Sequence, residues 1–169
     1  MIDFFEKRTA AHINTVNYLA GLLGHSFPNH DQSKFLEPER TPYIVMTHIR
    51  ANPPIPKGYK GLEIMNAIKH HYACNPHHPE YYQNLADMPT FRLEEMVCDW
   101  AAVQCEINLL DYDFKEPSST WSYYQNRVLK KYDFLSHQKP IIEQAIAALD
   151  FDVRDNPEIH KIWKGFLTR

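Results

Sequence analysis

Histidine is the residue whose number and spacing most clearly indicate chemistry in this sequence. The chain has 10 histidines against 5 glycines, and the histidines are clustered. The densest group lies in the segment KHHYACNPHHPEYY and comprises His70, His71, His77 and His78. Neutral imidazole is a usual ligand for zinc, iron, manganese and related ions. A metal site is therefore the leading hypothesis, and a patch of ordinary surface histidines is the alternative.

Helical spacing separates the two rings of the first histidine pair. His71 shares a helix face with the isoleucines three and seven residues before it, so its ring is expected to point inwards. We take His71 and His78 as the metal ligands. His70 and His77 would then support the ligands or contact the substrate, and one of them would protonate a leaving group. The spacing leaves the opposite choice open within each pair.

A further histidine and an aspartate lie on stripes of apolar residues. His12 falls between Phe5 and Val16 on the first predicted helix, and Asp99 lies on the same stripe as Val103 of a later one. A buried polar group without a partner costs roughly 1–3 kcal/mol, so both side chains need one. A backbone carbonyl for His12 and a salt bridge for Asp99 would suffice, and a shared metal ion would satisfy both.

The adjacent pair His30 and Asp31 opens a short predicted helix. Neighbouring side chains on a helix diverge by about 100°, so such a pair grips one ion only near a helix end, or reaches two ions from two angles. Lys34 lies three residues beyond Asp31, on the same helix face, and could hold an anion beside the metal. The alternative for Lys34 is an ordinary solvated ion pair with Asp31 or Glu37.

The elements that must position these side chains all follow the helical repeat. No segment alternates as a strand would, so we predict an all-α bundle of about seven or eight helices. On the longest helix, the predicted buried stripe is Met96, Trp100, Val103, Ile107 and Leu110. Residues 51–61 and 116–119 are predicted to be connections. The predicted helices cover residues 3–24, 30–37, 41–50, 62–72, 91–110, 120–134, 140–149 and 157–167.

Length and composition restrict the class of protein. At 169 residues the chain has room for one domain. A net charge of −3 and a pI near 6.3 do not favour binding to a nucleic-acid duplex. No apolar run is long enough to span a bilayer, so no membrane partner is expected. The cysteines have no CxxC spacing, which favours reduced thiols in a cytoplasmic protein.

The order His12, His30-Asp31, His71, His78 and Asp99 resembles that of the HD-domain (His-Asp) metal-dependent phosphohydrolases. HDQSK resembles the HD-x-x-K form of HD-GYP phosphodiesterases and of the myo-inositol oxygenase branch, which implies that Lys34 contacts an anion. More narrowly, HDQSKF, HHYACNPHHPEYY and EMVCDW resemble an uncharacterised phage and bacterial family of that superfamily. The resemblance implies a single HD-like domain with its core motifs in residues 12–100. It assigns no role to the C-terminal helices at 120–167.

The resemblance implies a hydrolase of a nucleotide or another small phosphate ester, with one or two divalent ions of Mn, Fe, Co, Ni or Zn. Hydrolysis would use metal-activated water, with Lys34 stabilising charge on the phosphoryl oxygens. Two alternatives stay open. One is a di-iron oxygenase, and the other is a non-catalytic metal-containing binding protein. The sequence also leaves open whether the chain forms a homo-oligomer.

Overall fold

Helices make up the fold of the described residues, which are 1–51, 61–110 and 119–167 of the computed structural model. These residues contain no strand, which confirms the all-α prediction. They form seven helices when the contiguous segments from residue 120 to 131 are counted as one. Six of them are regular: α1 (Ile2–Leu22), α2 (Arg40–Ala51), α3 (Gly61–Cys74), α4 (Thr90–Leu110), α6 (Gln138–Ala148) and α7 (Pro157–Trp163).

The remaining helix, α5, changes its winding along its length. It begins as a regular helix over Thr120–Tyr123, widens to a π-helix over Tyr124–Val128 and ends as a short regular turn over Leu129–Lys131. The side chain of Ser119 caps its start by accepting a hydrogen bond from the backbone N–H of Ser122, at 3.1 Å. Such π-turns are frequent where a helix serves a functional site.

The core lies along α4, which packs against α1 on one side and α6 on another. Val16 and Leu19 of α1 and Val97 of α4 are completely buried. The last helix, α7, also packs on α1. There the buried indole of Trp163 donates its Nε1–H to Thr15 Oγ1 at 2.9 Å. The C-terminal helices therefore complete the core that supports the histidine-bearing segments.

The predicted second helix, residues 30–37, is wrong. Only a single 3₁₀ turn forms there, over Gln32–Phe35, and His30 and Asp31 precede it. Asp31 has φ 58° and ψ 13°, which is the left-handed region. That backbone conformation cannot belong to a right-handed helix, so the pair is held in a turn between α1 and α2.

The predicted buried stripe of α4 is also partly wrong. Met96 is buried, but Val103 is 36% exposed, and Trp100 is only half-buried. Trp100, Val103 and Ile107 line a cavity instead of filling the core. Helical periodicity correctly placed these residues on one face, but it could not show that the space facing them is open.

The other helices agree with their predicted bounds to within a few residues at most ends. The fifth helix ends at Lys131 and the last at Trp163, earlier than predicted. The predicted connections at 51–61 and 116–119 lie almost wholly outside the described residues. Among the helices that are described, none combines the length and the apolar character needed to cross a membrane.

Candidate metal centre

Four predicted ligands meet where α1, α4 and the turn after α1 come together. We call this set, His12, His30, Asp31 and Asp99, the first cluster. His12 Nε2 lies 3.0 Å from Asp99 Oδ1 and 3.5 Å from Asp31 Oδ2. His30 Nε2 lies 3.6 Å from the same Asp99 oxygen and 3.7 Å from the same Asp31 oxygen. One ring nitrogen of each histidine and one oxygen of each aspartate thus face a common point.

The left-handed turn at Asp31 places its carboxylate at the centre of the site. Aspartate is among the few residues other than glycine that adopt this backbone region readily. The side chain is fully buried, and its Oδ2 accepts a very short hydrogen bond from Lys34 Nζ. The backbone N–H of Lys34 also donates to the Asp31 carbonyl, at 3.0 Å. The 3₁₀ turn therefore fixes Asp31 and Lys34 relative to each other.

Three histidines gather on the side of the other Asp31 oxygen, and two of them contact it. We call His71, His77 and His78 the second cluster; one nitrogen of each lies within 4.8 Å of the others. His71 Nε2 is 3.2 Å from Asp31 Oδ1, and His77 Nε2 is 3.6 Å from it. Asp31 therefore lies between the clusters, with Oδ2 towards the first and Oδ1 towards the second.

The arrangement of buried donor atoms in both clusters suits metal binding better than hydrogen bonding among the side chains themselves. Within the described part of the chain, five buried atoms of the clusters lack a hydrogen-bond partner of acceptable geometry, although several lie close to oppositely polar atoms. An unsatisfied buried polar atom is costly, and one metal ion in each cluster would satisfy all five. These atoms are His12 Nε2, His30 Nε2, Asp31 Oδ1, His77 Nε2 and His78 Nε2.

Two buried glutamates orient the histidines, and sequence reasoning missed both. Glu95 Oε1 lies 3.0 Å from His30 Nδ1, and Glu39 Oε2 lies 2.8 Å from His71 Nδ1. A carboxylate accepts, so each Nδ1 carries the proton and each Nε2 presents its lone pair to the cluster. Carboxylate support of this kind is usual for histidines that bind metal. The four-residue spacing of Glu95 and Asp99 on α4 was a usable signal, whereas Glu39 follows a cis Glu37–Pro38 bond outside any periodic segment.

The charges of the site also favour a cation. Among the described residues, Lys34 pairs with Asp31 and Arg92 pairs with Glu95. Glu39 and Asp99 form their ion-pair contacts with histidines alone. If the imidazoles are neutral, two carboxylate charges are left without a lysine or arginine, and a divalent ion would balance them.

The two clusters hold protons differently. Burial alone would lower the pKa of His30, but Asp31, Asp99 and Glu95 raise it to about 10. Burial would raise the pKa of Asp31, yet Lys34 and His30 hold it well below its ordinary value. In the second cluster, burial and the neighbouring His30 lower the pKa of His77 to about 3. Without a metal ion, the first cluster attracts a proton, and His77 stays neutral, the form that binds metals.

The structure brings together all the predicted ligands and one residue predicted for another role. His77 is 1% exposed and belongs to the second cluster as closely as His78 does. His70 lies elsewhere, with its side chain 40% exposed and its Nδ1 2.7 Å from Glu39 Oε1. Of the residues predicted to act on the substrate, Lys34 alone lines the cavity described next.

A cavity of about 530 Å³ opens over the two clusters. His12 and Asp99 of the first cluster line it, as do His71 and His78 of the second. Much of the remaining lining comes from α4 and α5, and it is aromatic and charged. It includes Trp100, Tyr123, Arg127, Lys131 and Tyr132, together with the carboxylates of Glu80 and Glu106.

A sequence profile for a family of unknown function, DUF5662, matches residues 1–148. The chain belongs to this family. The DUF5662 match covers both clusters, the two supporting glutamates, α5 and α6, and it ends before α7. No curated protein and no solved structure matches the chain.

Proposed function

We propose that this member of DUF5662 is a metal-dependent phosphohydrolase that acts on a small phosphate ester, with a nucleotide as the best candidate. The observation that carries the proposal is the position of Asp31, whose two oxygens face two separate sets of imidazole nitrogens. A carboxylate shared between two ions is a common arrangement in enzymes that hydrolyse phosphate esters.

The ligands divide between two ions. His12, His30 and Asp99 would hold one together with Asp31 Oδ2, and the three histidines of the second cluster would hold the other with Asp31 Oδ1. When bound, such ions lower the pKa of water and bind phosphoryl oxygens. Among the predicted metals, Mn, Fe, Co, Ni and Zn all accept mixed imidazole and carboxylate ligands.

Lys34 would act on the substrate directly. Its side chain is 18% exposed, lines the cavity and is anchored by Asp31, so the ammonium lies beside the clusters with limited freedom. A positioned cation at this point would stabilise negative charge on the phosphoryl oxygens. The ring of Tyr43 lies beneath it, with the centroid 5.2 Å from Nζ. Burial, with Asp31 and Glu39, raises the pKa of Tyr43, so its hydroxyl stays protonated and can donate a hydrogen bond.

The rest of the cavity suits a ligand with a ring and a further negative charge. Its volume of about 530 Å³ is within the range of roughly 300–1,000 Å³ that small-molecule sites occupy. Trp100 and Tyr123, whose ring centroids are 5.6 Å apart, offer aromatic surface in the cavity. Arg127 supplies a cation there, whereas Lys131 donates to Glu80 Oε1 at 2.5 Å and is already paired. These features support a nucleotide substrate.

The sequence predicted that His70 or His77 donates to the leaving group, and we now assign this contact to other residues. Neither His70 nor His77 lines the cavity. The proposal therefore places His77 among the ligands and leaves His70 out of the reaction. Tyr43 and Tyr72 both line the cavity near Lys34 or His78, and their raised pKa keeps both hydroxyls protonated, so either can donate a hydrogen bond to the leaving oxygen.

Anaerobic hydrolysis tests the proposal. Protein loaded with Mn²⁺ or Co²⁺ is expected to release phosphate from at least one nucleotide or sugar phosphate equally well with and without oxygen, because hydrolysis needs no redox step. Lys34→Ala should lower the turnover by about 10²–10³-fold, since it removes one charge stabiliser and no ligand. Metal content, measured by mass spectrometry, should not change.

Lys130→Ala is the matched control, because Lys130 is exposed and does not line the cavity. Equal loss of turnover in both variants would remove Lys34 from the mechanism. If no phosphate is released from any substrate and the iron-loaded protein shows an oxygen-sensitive di-iron signal, the oxygenase alternative replaces the hydrolase.

A further inference from the structure

Glu39, His70 and Cys74 form a further group, of which the proposed function uses Glu39 alone, to orient His71. We call it the outer cluster. One donor atom from each residue lies within 4.8 Å of the other two. His70 Nδ1 is 2.7 Å from Glu39 Oε1 and 3.7 Å from Cys74 Sγ. The group thus combines a nitrogen, an oxygen and a sulfur ligand.

Local structure explains why these side chains meet. His70 and Cys74 are four residues apart in the last turn of α3, so they lie on one face of the helix. Glu39 approaches from the segment before α2. Its Oε2 accepts hydrogen bonds from Ser33 Oγ at 2.9 Å and from His71 at 2.8 Å, which fixes Oε1 towards His70.

Burial distinguishes the outer cluster from an ordinary surface group. The Glu39 side chain is 0% exposed, and buried carboxylates are rarely left without strong partners. Cys74, by contrast, is exposed, and the His70 side chain is 40% exposed. An ion could therefore reach the group from solvent while one of its ligands is held rigidly by the protein.

We propose that the outer cluster binds a borderline or soft divalent ion such as Zn²⁺ of its own, with Glu39 Oε1 facing that ion and Glu39 Oε2 supporting His71 of the second cluster. Sulfur, imidazole and carboxylate are the usual zinc ligands, at about 2.0–2.3 Å, and a water molecule would complete a tetrahedron. The ion would replace the proton that His70 shares with Glu39, and it would also displace the thiol proton of Cys74. Small outward shifts of the exposed His70 and Cys74 side chains would adjust the ligand distances.

Cobalt(II) provides a specific test, because a thiolate bound to Co²⁺ adds a charge-transfer absorption band in the near ultraviolet. Neither of the other clusters contains sulfur among its described ligands, so the band reports the outer cluster alone. Titration of the full chain with Co²⁺ and a phosphine reductant should produce the band, and excess Zn²⁺ should remove it. Cys74→Ser and His70→Ala should each abolish it, while Asp31→Asn should retain it.

Cys74→Ser leaves the buried Cys98 and Cys105 in place, so it also serves as the control for other thiols. The proposal is overturned if the wild-type protein gives no band, or if Cys74→Ser gives a band of equal intensity. The result does not depend on hydrolysis. An inactive protein that shows the band would reject the proposed function and keep this site.

Discussion

The first and second clusters share Asp31 but present different donor atoms. The first offers two imidazoles and two carboxylates, whereas the second offers three imidazoles and one carboxylate oxygen. Most of the buried imidazoles with a shifted pKa follow this division. Burial lowers the pKa of His77 and His78 in the second cluster to about 3, whereas the pKa of His30 in the first is raised to about 10 despite burial. His71 is the exception in the second cluster, because burial and Lys34, which would lower its pKa, are outweighed by its carboxylate partners Asp31 and Glu39, which raise it.

Under the proposed function, this difference would let one small fold hold two unlike ions side by side. An oxygen-rich, negatively charged site favours harder ions such as Mn²⁺ or Fe²⁺, and a nitrogen-rich site favours Zn²⁺, Co²⁺ or Ni²⁺. Glu39 supports His71 of the second cluster, whereas Glu95 Oε1 lies 3.0 Å from His30 Nδ1 of the first cluster and 3.6 Å from His77 Nδ1 of the second. The clusters should therefore respond separately to substitutions of most of their own ligands, and together to changes at Asp31 and, to a smaller extent, at Glu95.

Asp31→Asn should have the largest effect, because it alters the group that both clusters share. Asparagine tolerates the left-handed backbone and keeps the side-chain shape, but it removes the charge. We expect loss of bound metal from both clusters and no measurable phosphate release. Metal analysis of purified protein checks this, with circular dichroism to confirm the helical fold. A variant that keeps both ions would show that Asp31 does not bridge them.

Substitutions confined to one cluster should each remove one ion. Asp99→Asn is expected to weaken Mn²⁺ binding most, because it removes a carboxylate from the first cluster. His78→Ala should instead weaken Zn²⁺ binding most, because it removes an imidazole from the second. Native mass spectrometry would count the ions on each chain. Loss of the same ion from both variants would show that the two clusters form a single site.

Changes to the supporting glutamates should have smaller effects, which for Glu39 concern the second cluster and for Glu95 are larger at His30 of the first cluster than at His77 of the second. Glu95→Gln and Glu39→Gln remove the carboxylates that orient His30 and His71, and such changes typically weaken metal affinity by roughly 10–100-fold. Chelator competition would measure the affinity of each ion. Glu94→Gln is the matched control on α4, because Glu94 pairs with His25, 2.9 Å away, outside the clusters. An equal effect of Glu94→Gln would indicate general destabilisation.

The sequence predicted those parts of the fold and site that depend on local periodicity. The burial of His12, which is 6% exposed, followed from its position on the apolar stripe of α1. The helical class and most helix bounds followed in the same way. The choice between His77 and His78 did not follow from periodicity, because the NPHH segment is not helical, and both His77 and His78 turn towards His71.

What the sequence could not predict depends on tertiary packing. Glu39 is distant in sequence from both His70 and His71, and only the packing of α2 against α3 brings it to them. Trp100 and Ile107 have the spacing of core residues, yet both line the cavity. The sequence of α5 alone likewise could not show that this helix lines a cavity. The cavity forms only where α5 faces side chains of α1, α2 and α3, which are distant in sequence.

The left-handed backbone at position 31 has a consequence for how this protein family can change over time. The carboxylate there would serve the proposed metal ions, but the φ of 58° serves the turn into α2. A descendant that lost its ions would be freed from the first requirement and not from the second. Asparagine and glycine meet the second at the least cost, whereas β-branched residues would strain the turn. Few residue types should therefore replace Asp31 over time, and His12 or His78, which carry no such backbone constraint, should be replaced first.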